Sequence, residues 1–303
     1  MRCPLRGRRA GHGELLDPRK HRRPPRQEGG GIDAALPVPG EGGLRYAAFD
    51  LDGTVLDAGG ATTEKVLAGV PRLRDLGLLP IVVTGRSRPG FLRLAGAEPL
   101  LALFHPEVLL EDGDVVLDRA DGRCRTTAAL PEQAVDQVVR TCADVVASCA
   151  GGGLVASSRR AAAAYAMAYR IPRGDIDVAP PAGPVSRLVV FDAAPPDVVG
   201  TRRRPLNAFD ASVFTAAGRG KAAGLADLLA ERFGEQDLSR VVAFGDGDND
   251  ADLLAASRVG VAVQGCSPAA RAAARVHLDG PLGAYLETVV PGELLRHGAP
   301  QAR

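Results

Sequence analysis

The sequence predicts an α/β fold in which a doubly wound parallel sheet is interrupted by an inserted α/β domain. Short apolar runs recur, each closing on an acid, a threonine or a glycine turn: Tyr46–Asp50, Pro80–Thr84, Val241–Phe244 and Val259–Val263. Segments with apolar residues at helical spacing lie between them. A middle stretch, residues 124–205, breaks this alternation with a different texture.

Each element follows from its local pattern. Tyr46-Ala47-Ala48-Phe49 is a short apolar run of the kind a strand buried on both faces shows, and Asp52-Gly53-Thr54 turns the chain after it. Residues 62–76 carry Val66, Leu67, Val70, Leu73 and Leu76 at helical spacing behind Thr62 and Thr63, which suit an N-cap. Pro80 to Thr84 is a second buried strand, ended by Gly85. Glu107–Leu110, Asp112-Gly113 and Val115–Leu117 read as a hairpin. In the middle segment, Pro131 to Ala147 reads as a helix, Ala150 to Gly153 as a loop, and an Ala-rich helix surrounds residue 165. Leu188–Phe191 is a strand, and the Pro/Arg stretch Arg202–Pro205 reads as a closing linker. Alternation resumes at Val213, with a helix from Lys221 to Arg232, the strand Val241–Phe244, a short helix over Asp248–Ala256 and the strand Val259–Val263.

Composition sets the limits. Apolar residues make up 46% of 303, enough for two cores at roughly 150 residues per domain. No window approaches the ~18 consecutive apolar residues of a membrane span, so no membrane role is expected. The five cysteines are odd in number and show no CxxC spacing, which fits a reduced cytoplasmic protein without a zinc site or disulfide framework. Residues 1–26 hold nine Lys or Arg against Glu14 and Asp17, while the rest of the chain is net acidic. This basic head lacks an apolar signal core. Residues 1–43 read as a disordered, Pro- and Gly-rich tail, and a nucleic-acid partner is not expected. Residues 44–123 and 206–303 are then the sheet-bearing core, with 124–205 inserted.

Ligands of open α/β sheets bind at the carboxyl ends of the strands. Three expected strands deliver polar groups there: Asp50 with Asp52, Thr84 with Gly85 and Arg86, and Asp246 with Asn249 and Asp250. Lys221, one of three lysines in an arginine-dominated chain, arrives at a helix start facing the same edge. Singly, these are a turn, a loop and a surface cation. Together, four carboxylates near one point are costly without a cation, and Mg²⁺ is suited to oxygen ligands and phosphate.

These motifs resemble those of the haloacid dehalogenase superfamily. Phe49-Asp50-Leu51-Asp52-Gly53-Thr54 resembles its first motif, Thr84-Gly85-Arg86 its second, Gly220-Lys221 its third and Gly245-Asp246-Gly247-Asp248-Asn249-Asp250 its fourth. The last is similar to the Cof-type (class IIB) phosphatase branch, whose α/β cap is inserted between the second and third motifs. The resemblance implies a Rossmann-like core and a phosphatase acting on a small phosphorylated metabolite, a sugar phosphate by default. It implies Asp50 as nucleophile and metal ligand, with Asp52 as acid and base and, through its carbonyl, a second ligand. Asp246 would ligate Mg²⁺, with Asp250 in the same metal set orienting that shell. Leu51, Thr84, Gly85, Lys221 and Asn249 would bind the phosphoryl group.

Two other readings share these residues, a sugar phosphomutase and a non-catalytic phosphate-binding regulator. Asp112 stands where the branch usually has Asn. It is expected to make the same turn, with an added charge that disfavours very anionic substrates as the alternative. The inserted segment's Arg159, Arg160, Arg170 and Arg173 read as solvated surface cations.

Overall fold

The computed structural model describes residues 43–57, 60–94, 98–206 and 209–288, so the expected N-terminal tail lies outside it apart from Gly43. In chain order the strands are β1 (Tyr46–Phe49), β2 (Leu79–Val82), β3 (Glu107–Leu110), β4 (Val115–Asp118), β5 (Cys124–Thr126), β6 (Val145–Cys149), β7 (Gly153–Ala156), β8 (Ile176–Val178), β9 (Val185–Val190), β10 (Thr201–Leu206), β11 (Ala211–Ala216), β12 (Val241–Gly245), β13 (Val259–Ala262) and β14 (Val276–His277). The helices are α1 (Glu64–Asp75), α2 (Arg88–Leu92), α3 (Glu98–Leu101), α4 (Glu132–Thr141), α5 (Arg159–Tyr169), α6 (Lys221–Phe233), α7 (Ala251–Ala256), α8 (Pro268–Ala273) and α9 (Leu282–Thr288).

The first sheet is parallel throughout, in the order β14-β13-β12-β1-β2. Alternation along β1 sends Ala47 and Phe49 to one face, against Val66, Val70 and Leu73 of α1 and Leu286 of α9. Tyr46 and Ala48 go to the other face, against Leu225 and Leu229 of α6 and Leu254 of α7. Helices therefore cover both faces, as the uninterrupted apolar runs require. Thr63 caps α1 by accepting from the Val66 amide at 3.3 Å.

A six-stranded sheet, β10-β11-β9-β6-β7-β8, forms the cap-like insertion, and β3-β4-β5 form a third, antiparallel sheet. The expected hairpin is β3–β4, with Leu110 opposite Val115. Three sequence readings change here. The helix expected over 131–147 ends at Thr141, and Val145–Cys149 is β6, paired with both β7 and β9. β-Branched Val145 and Val146 favour a pleated surface flanked on both sides. The expected linker Arg202–Pro205 is part of β10, an edge strand, the position in a sheet where a proline is tolerated. The chain does not rejoin the parallel sheet at Val213, because β11 runs antiparallel to β9 and β10.

The β3–β4 turn sets the position of α6. Glu111, Asp112 and Gly113 all have positive φ, at 54°, 60° and 99°. Glycine alone tolerates the space at Gly113, which abuts Gly224 of α6: a Cβ on Gly224 would lie 2.4 Å from the Gly113 Cα and 2.5 Å from its carbonyl oxygen. Among the described residues no helix is long and apolar enough to cross a membrane, and Cys124, Cys142, Cys149 and Cys266 are free thiols.

Gly224→Ala should force this backbone contact apart and lower stability by about 1–3 kcal/mol. Urea unfolding would show the shift in midpoint.

Candidate active site

The carboxyl ends of β1 and β12 lie side by side, since Phe49 pairs with Phe244 and the Asp50 amide donates to the Phe244 carbonyl at 3.0 Å. That register places Asp50 against the loop that holds Asp246 to Asp250. One carboxylate oxygen from each of Asp50, Asp246 and Asp250 lies within 4.8 Å of the others. Lys221, at the first turn of α6, has no solvent exposure and donates to Asp50 Oδ1 at 2.5 Å and to Asp250 Oδ1 at 2.6 Å.

Asp250 is held from its other oxygen. Oδ2 accepts from the backbone amides of Asp246 at 3.1 Å and Gly247 at 2.8 Å. Asp246 Oδ1 accepts from Thr54 Oγ1 at 2.8 Å. A side chain on Gly53 would strike the Asp246 carboxylate, at 2.2 Å from Oδ2, and the φ of +85° at Gly53 also calls for glycine. The Asp-Gly turn after β1 is thus shaped around the fourth motif's acid.

Electrostatics follow from this packing. Burial pushes the Asp50 carboxyl well above the ordinary range; the Lys221 ammonium opposes that rise, while Asp250 and Asp246 add to it. Asp246 is raised by burial and by Asp250, against the hydrogen bond from Thr54. Burial works against charge on Lys221, but Asp250 and Asp50 outweigh it and hold the ammonium above the usual lysine range. Fully ionised, the three carboxylates would outweigh the one ammonium in a pocket of oxygen donors. That donor set fits a hard divalent cation, whose charge would restore the ionised acids.

Asp52 does not join this cluster. The expectation of four acids at one point gives way to three, because the turn stabilised by the Leu51 carbonyl carries Asp52 outward. Leu51 itself is wholly buried, and its carbonyl accepts from the amides of Thr54, Val55 and Leu56. Both Asp52 oxygens are taken by Arg86, from Nε at 2.7 Å and Nη2 at 2.5 Å. Arg86 follows Thr84-Gly85 and also donates to the Gly90 carbonyl at 2.9 Å. A cavity of about 500 Å³ opens here, lined by Asp52, Arg86 and Ser87 of the core and by Ala168, Tyr169 and Arg170 of the insertion. Arg170, read from sequence as a surface cation, thus borders the site.

The other sequence-derived phosphoryl contacts gather beside the cluster. Thr84 is buried, with Oγ1 accepting from the Arg86 amide at 3.2 Å. A Cβ on Gly85 would come 3.2 Å from Asn249 Nδ2 and 3.0 Å from Asp112 Oδ1. Asn249 Nδ2 donates to Asp112 Oδ1 at 2.7 Å. Asp112 makes the turn that was expected of it, but its carboxylate is also buried among these groups.

Sequence reasoning missed two arginines. Arg187 of β9 is fully buried and donates to the Gly85 carbonyl at 2.8 Å and to Tyr165 Oη at 3.1 Å, with Glu111 3.9 Å away. Arg204 of β10 donates to Asp112 Oδ2 at 2.6 Å. Neither lies in a motif, and one fell in the expected linker. Only the abundance of arginine in the insertion hinted at them.

The family model for haloacid dehalogenase-like hydrolases matches residues 47–150 and 208–279, more than half of the chain. The chain belongs to this family. It is a hydrolase of the phosphatase type, and the matched ranges include Asp50, Asp246 and Asp250. Similar solved structures include a haloacid dehalogenase-like hydrolase from Bacteroides thetaiotaomicron, 18% identical, with a TM-score of 0.60 over 84% of this chain and 99% of that one. A subclass IIB sugar phosphatase is 17% identical, with a TM-score of 0.63 over 84% and 99%. A protein from Thermotoga maritima is 17% identical, with a TM-score of 0.64 over 82% and 98%. At these identities the likeness is one of fold. No curated protein sequence matches.

Lys221→Met should leave the buried acids without their cation and cost about 3–5 kcal/mol at neutral pH. Acids with raised folded-state values lose stability as pH rises through those values. The penalty should therefore be larger at pH 8 than at pH 5, and urea melts of both proteins at each pH would measure the difference.

Proposed function

We propose that this hydrolase is a Mg²⁺-dependent phosphomonoesterase that passes its phosphoryl group through Asp50. The observation that carries the reading is the buried Asp50–Lys221–Asp250 array at the strand ends, next to a cavity with Asp52 on its wall. Asp50 has one oxygen bound to Lys221, leaving the other to attack phosphorus. Lys221 lies where it can neutralise a phosphoryl oxygen and Asp50 together, which is the electrostatic help that phosphoryl transfer chiefly needs.

Thr84, the Gly85 amide, the Leu51 backbone and Asn249 surround the same point and would orient the remaining phosphoryl oxygens. Asp52 faces the cavity, where a departing alcohol must pass. With a proton taken up from the cavity water, it would protonate the leaving oxygen as the bond to phosphorus breaks, then take a proton from the water that cleaves the aspartyl-phosphate. For this it must exchange one of its two hydrogen bonds from Arg86 for the substrate oxygen, so Arg86 positions Asp52 between turns of the cycle.

Asp50 and Asp246, with the Asp52 carbonyl and with Asp250 orienting the shell, would hold Mg²⁺. When bound, the ion offsets the carboxylate charge and the charge of the phosphoryl oxygens.

The cavity volume suits a small phosphorylated metabolite. A sugar phosphate is the favoured substrate, a reading supported by the fold likeness to a sugar phosphatase. The six-stranded insertion would act as the cap, supplying Tyr169 and Arg170 to the leaving-group wall.

Phosphate release from p-nitrophenyl phosphate and a panel of metabolite phosphates, with Mg²⁺ or with EDTA, tests this. Wild type should turn over only with metal. Asp50→Asn should abolish turnover, and Asp52→Asn should lower kcat by about 10²–10⁴-fold. A folded wild type that binds Mg²⁺ and hydrolyses nothing would refute the proposal.

A further inference from the structure

Asp112 has no role in the chemistry above, yet it borders Asn249 and Gly85, two of the proposed phosphoryl contacts. Its carboxylate is 1% exposed, accepts from Asn249 at 2.7 Å, lies against Gly85 and feels the Lys221 charge. A carboxylate in that place repels a phosphate dianion. It also occupies an Asn249 donor that the phosphate would use.

What offsets it comes from the insertion. Arg204, on edge strand β10 of the insertion, donates Nη2 to Asp112 Oδ2 at 2.6 Å. Burial favours the neutral acid at Asp112, but Arg204, Lys221 and the Asn249 hydrogen bond outweigh it, so the group stays ionised. The contact differs from the paired hydrogen bonds between Arg86 and Asp52, because Arg204 uses a single donor and its buried Nε has no acceptor. It supplies charge more than rigid geometry.

We infer that Arg204 is a positioning residue for phosphate binding: seated by the insertion, it neutralises Asp112 and so lets the phosphoryl group occupy the site beside Asn249 and Gly85. Phosphate affinity is thereby tied to the seating of β10 against the core. With β10 displaced, the exposed charge of Asp112 would discourage the site from holding phosphate. This inference rests on the phosphoryl site proposed above.

A double-mutant cycle tests it. Wild type, Arg204→Met, Asp112→Asn and the double variant are compared by calorimetric binding of inorganic phosphate in Mg²⁺, alongside KM and kcat for p-nitrophenyl phosphate. Asn keeps the turn, since it tolerates the left-handed conformation of residue 112. Arg204→Met should weaken phosphate binding by about 10–100-fold, with the loss in KM rather than kcat. In the Asp112→Asn background the same substitution should cost less than about 3-fold. Arg204→Lys, which retains the charge, should recover most of the wild-type affinity.

Equal losses in both backgrounds, or no loss in wild type, would overturn the coupling while leaving the phosphatase reading intact. If wild type neither binds phosphate nor turns over substrate, the phosphoryl site itself fails, and the inference with it.

Discussion

Everything at this site depends on one ammonium buried between two carboxylates. Lys221 has no access to solvent and is tied to Asp50 and Asp250, which follow β1 and β12 and stand about two-thirds of the chain apart in sequence. Its position requires α6 to start where it does, and that in turn requires the close approach of Gly224 to Gly113. Desolvated acids on their own would take up protons rather than carry charge. Lys221 opposes that uptake at Asp50 and draws Asp50 and Asp250 to one point, where the proposed cation and phosphoryl group would sit.

A buried polar seam runs between the insertion and this core. Glu111, buried at the β3–β4 turn, accepts from the hydroxyls of Ser148 on β6 and Ser186 on β9, the latter at 2.7 Å. Arg187 then reaches from β9 to the Gly85 carbonyl, while its guanidinium lies 5.6 Å from the centre of the Tyr169 ring. Buried polar groups are costly to leave unmatched, so such a seam favours one seating of the two parts over many. The same seam runs past Gly85 and Asp112, so the seating of the insertion and the shape of the proposed phosphoryl site are held by neighbouring bonds.

Much of the core was legible because its determinants are local. A strand buried on both faces must be apolar along its length, and its end must carry the polar residues, so Tyr46–Asp50 and Val241–Asp246 announce themselves. The insertion was less legible because its sheet depends on pairing across distance. Val145–Cys149 continues a helical pattern in sequence and becomes a strand only because β7 and β9 flank it. Arg202–Pro205 carries no strand signal of its own, and β11 supplies the partner that makes it one.

The sequence by itself determined the parallel core, the order of the four motifs and the residues that meet at the strand ends, since each is encoded in a short stretch whose chemistry allows few alternatives. Tertiary structure alone decided where the charges settle. It turned Asp52 toward Arg86 and away from the other acids, and it brought Arg187 and Arg204 across from the insertion. It also made Asp112 a buried ionic partner as well as a turn residue. A carboxylate takes its role from whichever cation packing leaves beside it, and residues 92 positions apart, as Asp112 and Arg204 are, become neighbours only when the sheets close on one another.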